Sequence, residues 1–121
     1  MSDARVLGPA DLVPGPPTPG VERLTAFEGD DRWIGRSRAE PGVVSGWHHH
    51  GGHDTYFFVL TGAARIELGG GRTVEVHSGD FAHLPARTVH REGPMGDVAL
   101  DAIVVRLGSG PQVFEASEPT E

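Results

Sequence analysis

What most restricts the folds open to this chain is the way glycine and proline cut it into short β-forming runs. RWIGRSRAE (32–40) ends at Pro41-Gly42, and VVSGW (43–47) follows. TYFFVL (55–60) is apolar on both faces, as a strand buried on both sides would be. ARIEL (64–68) and TVEVH (73–77) alternate and flank Gly69-Gly70-Gly71, which is a hairpin signal. DFAHL (80–84) stops at Pro85, and VALDAIVVRL (98–107) closes the series. No stretch carries a helical period with caps at its ends. Short strands separated by glycine turns predict an all-β barrel or sandwich.

With 121 residues, the chain has room for one domain and one modest core. Pro9, Pro14, Pro16, Pro17 and Pro19 crowd the N-terminal segment, so residues 1–24 are expected to be an extended Pro/Gly-rich arm. Residues 25–107 are the expected barrel, and 108–121, rich in Gly, Pro, Ser and Glu, the expected tail. There is no apolar run of membrane-spanning length, and the N-terminus, with Asp3 and no apolar stretch, does not resemble a secretory signal. Together with the absence of cysteine, this predicts a cytoplasmic protein without disulfides or thiolate ligands. Lysine is absent as well, which removes Schiff-base chemistry. A formal charge of -7 argues against a nucleic-acid partner and leaves a small molecule as the expected ligand.

The histidines concentrate the chemistry. In Trp47-His48-His49-His50, strand alternation puts His48 and His50 on one face and Trp47 and His49 on the other. Two imidazoles two residues apart are spaced to share one cation. The same spacing also fits polar loop residues. Downstream, GDFAHLPARTVH (79–90) ends on His90.

These two stretches resemble the paired motifs of the small single-domain cupins. The first family motif is Gly, five residues, HxH, three or four residues, Glu, six residues, Gly; here Gly42, His48, His50 and Gly62 fill four of its five fixed positions. The second is Gly, five residues, Pro-x-Gly, two residues, His, three residues, Asn; Gly79, Pro85 and His90 match it, while Arg87 and Pro94 stand at its Gly and Asn. Sixteen residues separate the motifs, and the resemblance runs from about residue 32 to 107. It implies a single jelly-roll-like double-stranded β-helix barrel, with His48, His50 and His90 as ligands of one divalent transition metal ion (Fe, Ni, Zn, Cu or Mn). A homodimer, frequent in the family, is the implied assembly.

The family glutamate is missing from its place, which is taken by Thr55 on one count and by Asp54 on the other. A threonine hydroxyl is a poor ligand. Asp54 could reach the metal, support an imidazole or stabilise a turn. His53 is a candidate fourth nitrogen. The expected centre is therefore three neutral histidines plus water, with the metal keeping its full charge. Acid–base work falls to His53, Asp54 and His83, the last pointing inward as a proton shuttle or serving as a core histidine. Thr55, Phe57 and Val59 should line the pocket with Ile34, Phe81 and Val104. Arg87 and Arg91 could orient a carboxylate at the mouth, or lie solvated on the rim. Tyr56 and Trp47 are read as packing residues. The implied activity is metal-dependent, a dioxygenase or a Lewis-acid cyclase, isomerase or decarboxylase acting on a chelating or enolisable substrate. A non-catalytic metal- or metabolite-binding module is the alternative.

Overall fold

The computed structural model describes residues 3–15 and 18–120; Pro16 and Pro17 of the expected arm lie outside the described residues. Among the described residues, eleven strands account for nearly all regular structure, joined by one turn of 3-10 helix at Pro9–Asp11. The strands are β1 (Val13–Pro14), β2 (Val21–Gly29), β3 (Arg32–Ala39), β4 (His48–His49), β5 (Asp54–Thr61), β6 (Ala63–Gly69), β7 (Arg72–His77), β8 (Phe81–Leu84), β9 (Arg91–Pro94), β10 (Leu100–Leu107) and β11 (Phe114–Glu115). Among the described residues no helix is long and apolar enough to cross a membrane.

One sheet runs β1-β2-β3-β10-β5-β8. The other is β7-β6-β9, and an antiparallel bridge between His48 and His90 extends it through β4 to β11. The core lies between them: Trp33, Phe57, Val59, Leu84, Ala102 and Val104 from the first sheet meet Ala64, Ile66 and Val76 from the second. Alternation along β5 and β10 sends every second residue into this layer, which explains why an apolar run such as TYFFVL is only half committed to the core. Phe57 and Val59 are buried, but Tyr56 is 41% exposed on the opposite face.

The structure redraws the expected boundaries. β2 starts at Val21, inside the segment read as arm. At the other end, Phe114–Glu115 pairs with His48–His49 and closes the second sheet, so part of the expected tail belongs to the barrel wall. That segment is poor in β-branched residues, and it is held instead by Phe114 stacking on the His49 ring at 5.0 Å. Two residues expected in the pocket face outward: Ile34 opposes the face of buried Trp33, and Phe81, 82% exposed, packs on Phe58.

Candidate metal centre

The bridge at the barrel mouth is what assembles the site. His48 and His90 exchange both backbone hydrogen bonds, each 2.9 Å, so their side chains project together from one face of the sheet. Two residues on from His48 comes His50, and two residues on from His90 comes Glu92; parity puts both on that same face. The ligand atoms of His48, His50, His90 and Glu92 all lie within 4.8 Å of one another. Ring centroids are 4.3 Å apart for His48 and His90, and 5.0 Å for His48 and His50. Glu92 is held in register by Ser45, whose Oγ accepts from the Glu92 amide and whose own amide donates to the Glu92 carbonyl, both at 2.9 Å.

The hydrogen bonds determine which ring nitrogen is available. His48 Nδ1–H donates to the Gly46 carbonyl at 2.8 Å, His50 Nδ1–H to Gln112 at 2.8 Å and His90 Nδ1–H to Thr88 at 2.9 Å. A carbonyl only accepts, so each Nδ1 carries its proton and, in the neutral ring, each Nε2 keeps a lone pair. The Nε2 atoms of His50 and His90 are buried and have no hydrogen-bond partner. Buried acceptors left unmatched on facing side chains suit a cation, and this donor set fits a divalent transition metal. Burial first, and then the Arg106 charge, push His50 down to about 3, so it is neutral at ordinary pH. Burial also lowers His48. For His90, burial again pulls downward, but the neighbouring Glu92 carboxylate, 3.5 Å from Nε2, outweighs it and the net shift is upward. Burial alone would raise Glu92, yet the three imidazoles around it hold it down at about 2. Glu92 therefore enters the site as a carboxylate.

To the three expected histidines the structure adds a fourth potential donor, Glu92, which would lower the charge of a bound ion. The sequence does contain the signal: His90-x-Glu92 on a strand has the same one-face spacing as His48-x-His50. Of the two residues that the counts set at the family glutamate, Thr55 is buried on the inner face with Oγ1 unpartnered, while Asp54 pairs with His83 outside.

His53 is buried under the 50–53 turn, its Nδ1–H donating to the His50 carbonyl at 2.9 Å, and it stands outside the four-residue group. Asp54 and His83 do meet, Oδ1 to Nε2 at 2.9 Å, but on the outer face of the first sheet, where Tyr56 stacks on the His83 ring at 4.4 Å. The inward shuttle expected of His83 is thus not what the fold provides. Phe57 and Val59 belong to the core below the site. Arg87 is exposed in a left-handed conformation, φ 64°, its amide bonded to the Gly51 carbonyl. Arg91 faces away from the histidines, forked onto Glu67 at 2.8 and 3.0 Å and lying over the Trp47 ring.

The fold and this cluster define a cupin-type barrel. A cupin domain profile matches residues 35–106, more than half of the chain, and the chain belongs to the cupin family. A search of curated proteins finds no match. Among solved structures, a conserved double-stranded β-helix protein from Klebsiella pneumoniae superposes with a TM-score of 0.77 at 21% identity, covering 96% of this chain and 94% of that one. KdgF from Halomonas sp. gives 0.71 at 21% identity, covering 87% and 94%. Oxalate decarboxylase from Lactobacillus farciminis, solved as a formate complex, gives 0.72 at 16% identity; 88% of this chain is covered but only 34% of that one. At these identities the likeness is one of fold.

Proposed function

We propose that this cupin is a metal-dependent enzyme acting on a small oxygen-bearing substrate, with His48, His50, His90 and Glu92 holding one divalent transition metal ion. The observation that carries the reading is the convergence of three imidazoles, each with Nδ1–H tied to a backbone carbonyl, on one carboxylate. A metal held there supplies Lewis-acid polarisation of a substrate oxygen and, if redox-active, electron transfer. The chain's part is to fix the ligands. Gly46, Thr88 and Gln112 lock the ring tautomers, and Ser45 holds Glu92 in register. An oxalate decarboxylase with the same fold supports an enzymatic rather than a storage role. The reading is tested by elemental analysis and metal titration of untagged protein purified without chelator. About one equivalent per chain that falls away in His90→Ala is expected; no uptake by the wild type leaves a non-catalytic binding module.

The outer face of the first sheet, with Tyr56, Phe81 and Ile103 exposed, supports a homodimer as part of this reading.

A further inference from the structure

The interior carries a guanidinium that feels Glu92 but forms no ion pair with it. Arg106 lies on β10, directly between Trp33 on β3 and Thr55 on β5. Trp33 and Thr55 are both buried, so this row of the sheet faces the barrel interior. The guanidinium lies 5.8 Å from the centre of the Trp33 ring, and Nη1 donates to Gln112 Oε1 at 3.2 Å. Its Nε–H is buried without a partner, and no described carboxylate forms an ion pair with it. Gln112 also accepts the His50 Nδ1–H through its main-chain carbonyl, so one residue fixes both the arginine and a metal ligand. Beside the arginine, on β5, stands Thr55, whose hydroxyl is also unpartnered.

The charge count points the same way. A divalent ion and the Arg106 guanidinium together carry three positive charges, the Arg23 guanidinium acts on Arg106 and Glu92 as well, and among the described residues Glu92 is the only carboxylate in the ligand group. A buried arginine with an idle N–H suits the fork of a carboxylate.

We propose that Arg106, steadied by Gln112 and Trp33, is the anion-binding residue of the pocket, and that the substrate is a small carboxylic acid. One end of that acid would pair with the guanidinium while a second oxygen reaches the metal. The inference rests on the metal-centre reading above, and the experiment keeps the two separable.

Calorimetric titration first measures Co²⁺ binding to the wild type, Arg106→Gln, Arg106→Lys and Gln112→Ala, and then malonate binding to each Co²⁺-loaded protein. Arg106→Gln is expected to keep Co²⁺ affinity within a few-fold of wild type or tighten it, and to weaken malonate by about tenfold or more, since a hydrogen bond to a charged group is lost. Arg106→Lys should fall between, and Gln112→Ala, which keeps the carbonyl that holds His50, should weaken malonate alone. Malonate bound by Arg106→Gln within twofold of wild type, or not bound by the loaded wild type, overturns the proposal. If Co²⁺ fails to bind the wild type, the metal reading falls. Malonate binding to the metal-free wild type that vanishes in Arg106→Gln would then still support the anion site, and no binding would end both. Should Arg106→Gln fail to fold, Arg106→Lys and Gln112→Ala carry the comparison.

Discussion

Glu92→Gln isolates the one charged group of the proposed ligand set. In the wild type its carboxylate stands 3.5 Å from His90 Nε2 and 4.0 Å from His48 Nε2, with 30% of the side chain exposed. At that depth an effective dielectric of about 20 is appropriate, and unit charges about 4 Å apart then attract by about 4 kcal/mol. A dication doubles the attraction, while desolvating the carboxylate and breaking its contact with His90 take back a comparable share. A net loss of about 4 kcal/mol corresponds to about a thousandfold weaker metal binding. Without metal the substitution should change stability by no more than about 1 kcal/mol, because the burial cost of the charge and its attraction to His90 oppose each other. Chelator-competition titration gives the first number and urea unfolding of the metal-free protein the second. A loss of affinity below about tenfold would refute the assignment of Glu92 as a ligand, because an uncharged amide could not replace that attraction.

Arg87→Gly should raise the unfolding midpoint. The φ of 64° costs an L-residue about 1–2 kcal/mol, partly offset by the extra unfolded-state freedom of glycine, leaving a gain of about 0.5–1 kcal/mol in a thermal melt. The metal-free protein should lose stability as pH falls below 6.5. His48 and His50 bind a proton in the unfolded chain near 6.5 but resist it when folded, His50 down to about 3, so the unfolded state gains protons first. His90, shifted upward, acts in the opposite sense: its contribution is complete below 6.5 and disappears as pH rises through its folded value. Urea midpoints between pH 7 and 4 should therefore fall on acidification, with a shallower slope in His50→Gln; an unchanged slope would show that His50 is not the group responsible. Light scattering should return twice the 12.8 kDa chain mass, and Phe81→Asp should return it to one, since that side chain is 82% exposed on the outer sheet.

The strands and the three histidines were legible in the sequence because they depend on local rules. Alternation assigned His48 and His50 to one face, and the motif glycines mark real backbone demands. Gly62, for example, has φ 83°, and a Cβ there would strike the Ala99 carbonyl. Arg87 shows the same demand met by the wrong residue: the motif's glycine position is still left-handed here. What was not legible depends on contacts between distant strands. Glu92 shares a face with His90 by simple parity, but only the His48–His90 bridge makes that the face of the site. His83 and Phe81 were assigned inward on the correct period of two with the opposite phase, and that phase is fixed by which face of β8 pairs alongside Thr55 and Phe57. Gln112 had no local signal at all, since its role arises from a chain segment with little strand propensity crossing to β4.

Glu92 on β9 and Thr55 on β5 yield the sharpest remaining test. If this chain has moved its carboxylate from the β5 position to β9, the two positions should be interchangeable for the metal but not for the anion. Thr55 lies directly opposite Arg106, so Thr55→Glu places a carboxylate beside the guanidinium that lacks one. In the Glu92→Gln background, Thr55→Glu should restore most of the metal affinity, to within about tenfold of wild type, because the charge of the donor set is re-established. Alone, Thr55→Glu should leave the metal bound and abolish malonate binding, since Arg106 then has an internal partner. Chelator competition and malonate titration on the two proteins separate these effects. A double variant as weak as Glu92→Gln would mean that position 55 does not face the ion in this barrel, so that Thr55 marks the loss of a ligand rather than its relocation.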